Sequence, residues 1–142
     1  MSETLSAAEY RDLVGVKQGG GPSKKKNEHP EDDMQETFVE LLGYQYPKLV
    51  FFAIPNGGKR DATTAWVLAK TGTRKGVADL CFLWPRGQGR GPTGYIEFKV
   101  DNNKQSPDQE LFEADCIERD VPYAVCWSIE EALAFLKEWG AI

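Results

Sequence analysis

The chain has 142 residues, 41% of them hydrophobic and 11% aromatic, enough for one domain with its own core. A formal net charge of −5 argues against a surface built throughout to hold nucleic acid, and no apolar run approaches the ~20 residues of a membrane span. Three scattered cysteines (Cys81, Cys116, Cys126), no CxxC and one histidine, His29, argue against a disulfide framework and a structural zinc site, and predict buried thiols in a reducing compartment. No signal-peptide pattern opens the sequence, so a cytoplasmic location is the expectation. Charge is uneven: Lys59, Arg60, Lys70, Arg74, Lys75, Arg86 and Arg90 crowd the middle, while acidic residues crowd 108–138.

Residues 1–30 read as an extension, with a short helix over 5–16 and a Gly-, Pro- and Lys-rich linker after it. Residues 31–43 predict a helix with Met34, Phe38, Leu41 and Leu42 as its apolar stripe and Gly43 as terminator. Glu31 projects from the same side as that stripe and Gln35 from its other edge, so Glu31 is the acidic residue of this helix that would reach an interior site. A glutamate in a first helical turn is also favoured by the helix dipole alone. Residues 49–54 (LVFFAI) predict a buried strand, closed by Pro55-Asn56-Gly57-Gly58, where a tight turn or a close approach to phosphate are both open. Residues 63–71 predict a helix carrying Trp66, Val67 and Leu68, with Gly72 closing it.

Two strands follow, 77–84 and 93–100, joined by PRGQGRGPTG, which is too long and glycine-rich for a tight turn and is expected to be mobile. Ser106-Pro107-Asp108-Gln109 has the form of a helix start, with Ser as N-cap, Pro first and Gln third. Gln109 is thus explained as a capping-box residue, yet it also lies three and seven residues before Phe112 and Cys116, on an inward face. A strand over 121–127 and a helix opened by a second capping box, Ser128 to Glu131, complete the order. Ala132, Leu133, Leu136 and Trp139 form the apolar side of that last helix.

Chemistry concentrates where the two central strands begin and end. Strand alternation puts Ile96, Phe98 and Val100 on one face, and Tyr95, Glu97 and Lys99 on the other. Glu97 and Lys99 are then neighbours roughly 6.5–7 Å apart along the strand. An E-x-K alone is most often a solvated surface pair. Asp79 sharpens it: it sits between Val77-Ala78 and an apolar run, where a lone carboxylate is costly, although a strand-opening cap accounts for it too. If Asp79 opens the adjacent strand, two carboxylates and an ammonium converge. Such a pair suits a hard cation that keeps waters for a phosphate substrate.

The stretches EDDMQ (31–35), PNGGKR (55–60), GTRKGVAD (72–79), IEFK (96–99), KQSPDQ (104–109) and SIEEA (128–132) occur in an order and spacing that resembles the VRR-NUC family of the PD-(D/E)xK nucleases. The resemblance runs from about Glu31 to Leu136. It implies an α/β, restriction-endonuclease-like core over 31–142, a small mixed four-stranded sheet flanked by helices. It implies a Mg²⁺- or Mn²⁺-dependent deoxyribonuclease with Asp79 and Glu97 as metal ligands, the backbone carbonyl of Phe98 completing the shell, Lys99 as catalytic lysine and Gln109 as the glutamine of the following helix. Glu31 matches the acidic residue of the first helix, with Gln35 beside it. Asn56 and Gly57 match the PNGG loop, and with Lys59, Arg60 and Lys75 they are the expected substrate contacts. No DNA-binding module beyond this core is recognisable, so a homodimer setting two sites on opposed strands of branched DNA such as a Holliday junction is the expectation. The alternatives are a flap or nicking nuclease, a base-specific restriction-like enzyme, a non-catalytic nucleic-acid-binding module of the same fold, or a globular protein whose polar residues are only surface and caps.

Overall fold

The computed structural model describes residues 29–55 and 61–142, so the expected helix over 5–16 lies outside the described residues. The described residues fall into two units, one ending at residue 48 and the other beginning at residue 49. In the first, α1 (Pro30–Gln45) starts with proline in its first turn and with Glu31, Asp32 and Asp33 at the positive end of the helix dipole. Phe38, Leu41 and Leu42 are buried, as their spacing predicts. Gly43 lies within the helix instead of ending it, and the N–H of Tyr46 still donates to the Leu42 carbonyl at 2.8 Å.

The second unit is an α/β layer structure: β1 (Val50–Ala53), α2 (Ala62–Lys70), β2 (Leu80–Leu83), β3 (Thr93–Phe98), α3 (Pro107–Glu118), β4 (Tyr123–Cys126) and α4 (Ile129–Trp139). The four strands form one mixed sheet in the order β1-β2-β3-β4, consistent with a restriction-endonuclease-like core. β1 and β2 are antiparallel, as are β2 and β3, while β3 and β4 are parallel because α3 carries the chain back between them. No described helix is long and apolar enough to cross a membrane.

Alternation along β3 decides which helix meets which face. Tyr95 points to the α3 side, where Phe112 packs edge-on between it and Tyr123 of β4, at 5.1 and 5.8 Å between ring centres. Gly94 and Ile96 point the other way, toward α4. A β-carbon on Gly94 would stand 2.9 Å from the Trp139 ring, so glycine here makes room for the stacked Trp84–Trp139 pair. Ala132, Leu133, Leu136 and Trp139 are all buried, as the period of α4 predicts. Cys81, Cys116 and Cys126 are buried and unbridged.

Two expectations need correction. β1 is not a buried strand: among the described residues it is an edge strand with a single neighbour, and Val50 and Phe52 are 55% and 50% exposed. An apolar run of this length reads the same in either place. The β2–β3 connection is not left loose. The Gln88 amide donates to the carbonyls of Gly140 and Ala141 at 2.8 and 3.3 Å, and the N–H of Arg90 donates to Trp139 at 2.7 Å. The loop thereby occupies carbonyls that the end of α4 leaves without helical partners.

Candidate active site

The site forms where β2 and β3 run together. Leu80 pairs with Ile96, and one step further along this antiparallel register sets Asp79 across from Glu97. Asp79 is held at both ends. Its carbonyl accepts the N–H of Ile54, at the end of β1, at 2.8 Å, and its Oδ2 accepts the N–H of Phe98 at 2.7 Å. The cap reading of Asp79 is therefore correct as far as it goes: the carboxylate closes the ladder. The same bond fixes it beside β3.

Glu97 and Lys99 are 2% and 8% exposed, so this is no solvated surface pair. Charges this deep are tolerated only with partners. Two of them converge on one oxygen of Glu97: the Lys99 ammonium lies 3.6 Å from Oε1, and the Gln109 amide donates to the same Oε1 at 2.7 Å. At formal charges, two carboxylates and one ammonium leave a local charge of −1, which favours a cation.

Both readings of Gln109 hold at once. Its N–H donates to Ser106 Oγ at 3.2 Å and its own Oε1 accepts the Ser106 N–H at 2.9 Å, a complete capping box. With the oxygen so committed, the amide nitrogen faces Glu97. A capping box accepts Glu or Gln equally; only Gln can cap with one atom and donate with the other. Gly76 brings this helix start close. Its φ is +81°, and a β-carbon there would stand 2.3 Å from the backbone carbon of Asp108 and 2.6 Å from the nitrogen of Gln109. The turn that leads into Asp79 thus lies directly against the turn that presents Gln109.

Other expected residues are placed as follows. Glu31 is in the first turn of α1, in the first unit, with Gln35 one turn on. Asn56, Gly57, Lys59 and Arg60 lie outside the described residues. Lys75 is exposed in the turn immediately before Gly76. Sequence reasoning missed Gln105, treated as loop: its amide donates to Glu113 at 3.1 Å and to the Tyr123 hydroxyl at 3.2 Å. Burial, with the nearby charges of Glu97 and Glu113, pushes the Tyr123 phenol above its ordinary range. It also missed the fit of Gly76, which shows only once α3 is placed in space.

Among the described residues, no group of three or more His, Cys, Asp or Glu side chains is gathered closely enough to hold a metal ion. What the site offers is a pair of hard oxygen donors. Such a pair fits Mg²⁺ or Mn²⁺, which are bound through one or two carboxylates with waters and substrate phosphate filling the remaining positions. It does not fit zinc, which takes four nitrogen, sulfur or oxygen ligands in a closed structural site.

Comparison with known proteins bears on this geometry. The family model described as VRR-NUC domain matches residues 27–129, which include Asp79, Glu97, Lys99 and Gln109. No curated protein and no solved structure gives a significant match.

Proposed function

The chain belongs to the VRR-NUC family, a family of nucleases whose substrate is DNA, and from that premise we propose that it is a Mg²⁺- or Mn²⁺-dependent endonuclease hydrolysing phosphodiester bonds at branched DNA such as four-way junctions. One observation carries the reading: a buried glutamate across from Asp79 whose single oxygen Oε1 is met by both Lys99 and Gln109. A surface pair would not be buried, and a stability device would be better served by apolar residues.

In this reading Asp79 and Glu97 would hold the ion, with the Phe98 carbonyl as a further ligand. Bound there, the metal supplies Lewis acidity at the scissile phosphate and a water of lowered pKa. Lys99 orients the attacking water and offsets the negative charge that grows on the phosphoryl oxygens. The water oxygen joins phosphorus as the opposite P–O bond breaks; the attacking water releases a proton to solvent and the departing oxygen takes one from solvent water. Gln109 keeps Glu97 in the rotamer that faces the ion. Asn56, Gly57, Lys59, Arg60 and Lys75 contact the DNA backbone, so recognition is by shape and phosphate more than by base edges. Residues 31–142 form the nuclease domain behind the 1–30 extension, and a cytoplasmic homodimer presents two sites to opposed strands.

The test is cleavage of labelled four-way junction, flap, linear duplex and single-stranded DNA with Mg²⁺, Mn²⁺ or EDTA, beside Glu97→Gln and Lys99→Ala. Metal-dependent cutting lost in both variants supports the reading, and the preferred substrate separates junction, flap and nicking activities. A folded protein that binds these DNAs and cuts none with either metal is a binding module instead.

A further inference from the structure

Helix α2 buries none of its nine residues. It is capped at its start by Asp61, whose carboxylate accepts the N–H of Thr64 at 2.7 Å, and its Trp66 is 60% exposed. The Lys70 ammonium lies 4.1 Å from the centre of the Trp66 ring, which orients the ring without covering both of its faces.

The neighbours of Trp66 say what this face suits. At helical spacing they are Ala62, Thr63, Ala69 and Lys70, three small residues and a cation. Val67, the other large exposed side chain of the helix, is turned about 100° away. A protein interface centres on clustered large apolar side chains and is depleted in lysine. A lone ring bordered by small residues and positive charge is instead what single-stranded nucleic acid uses: a base stacks on the ring and its phosphates meet the cations. Lys75, exposed, adds a second cation on the segment of chain that leads from this helix to Asp79. Asp79 follows Lys70 by nine residues, so even a fully extended chain keeps the Lys70 Cα within about 32 Å of the Asp79 Cα, roughly one turn of duplex.

We propose that Trp66, with Lys70 and Lys75, is a stacking platform for an unpaired nucleotide at a DNA branch, the base lying on the ring face opposite the Lys70 ammonium. The proposal rests on the nuclease reading above and specifies how that site tells branched DNA from duplex.

The experiment measures binding in EDTA, so that no DNA is cut, to a duplex carrying an unpaired 2-aminopurine and to the same duplex fully paired. Trp66→Ala should weaken binding of the unpaired form by roughly ten- to a hundredfold, with a much smaller loss on paired DNA, and should abolish the quenching of aminopurine emission that stacking produces. Trp66→Phe should restore most of both. Lys70→Ala should weaken both complexes and lower the salt slope by about one. Because Trp66 is exposed, the thermal midpoint of Trp66→Ala should match wild type, which excludes unfolding as the cause. Equal losses on the two DNAs, or retained quenching, overturn the proposal. So does a variant that discriminates normally but sediments as a smaller species, since the face would then be covered by a second copy. Cleavage by wild type is assayed alongside. If nothing is cut but the preference for unpaired DNA depends on Trp66, the nuclease reading fails and the platform stands. If junctions are cut and Trp66→Ala discriminates as before, only the platform fails.

Discussion

Gly76→Ala tests whether the close approach of two turns sets the site. The added β-carbon would stand 2.3 Å from the carbonyl carbon of Asp108, 2.4 Å from its oxygen and 2.6 Å from the nitrogen of Gln109, where ordinary contact begins at 3.4 Å. All three atoms are main chain, so no side chain can rotate away and α3 must retreat by about 1 Å. Holding alanine at φ +81° costs about 1–2 kcal/mol, and overpacking adds about 1–3 kcal/mol, for a total of about 2–5 kcal/mol. Gly72→Ala is the control: φ is +100° there but nothing lies within 4 Å, so only the conformational cost applies. The difference between the two variants isolates the clash. A retreat of α3 also draws Gln109 away from Glu97, and a displacement near 1 Å in a reacting constellation lowers turnover on the order of a hundredfold. Urea unfolding in EDTA reads the stability, and single-turnover cleavage at saturating metal reads the rate. If Gly76→Ala is no less stable than Gly72→Ala, the packing argument is wrong; if it cuts at the wild-type rate, the positioning argument is wrong.

Gln109→Glu preserves the acceptor for the Ser106 N–H but replaces the donor to Glu97 by a second carboxylate. Loss of one hydrogen bond to a charged group predicts a destabilisation of at least about 1.5–3 kcal/mol in metal-free buffer at pH 7, and urea midpoints equal to wild type would refute it. Lys99→Met leaves buried Glu97 without its ammonium and is expected to cost about 3–5 kcal/mol, much of it recovered by adding Glu97→Gln; a double variant no better than the single would show that the two residues are not energetically coupled. Burial pushes the thiols of Cys126 and Cys116 up to about 12 and about 11. In the unfolded chain they ionise near ~8.5, so their contribution to stability is whole below that pH and is lost as pH rises through the folded values. The thermal midpoint should fall from pH 9 upward, and less steeply in Cys116→Ala/Cys126→Ala; an identical slope in that variant would reject the assignment.

What was legible in the sequence is what neighbouring residues decide among themselves. Ser106, Pro107 and Gln109 announce the start of α3 because an N-cap and its partner are three residues apart, and the apolar stripe of α4 follows from a 3.6-residue period. The face shared by Glu97 and Lys99 follows from the two-residue period of a strand. The second capping box was legible only in part. Ser128 does accept the N–H of Glu131, but the Glu131 carboxylate accepts the N–H of Trp127 at 2.7 Å, one residue before the cap.

The tertiary structure decided the rest, wherever the deciding partner is distant along the chain. LVFFAI gives no sign whether one strand or two will flank it, and it became an edge. The glycine-rich β2–β3 loop carries no mark of the carbonyls at the end of α4 that tie it down fifty residues later. Gln109 was legible as a cap and as an inward residue, but that it is both depends on where Glu97 stands, twelve residues away on a strand. The family resemblance named the site residues. Burial and a shared oxygen show what a glutamate, a lysine and a glutamine do for one another at these positions: each supplies the charge or the donor that the others need once water is removed.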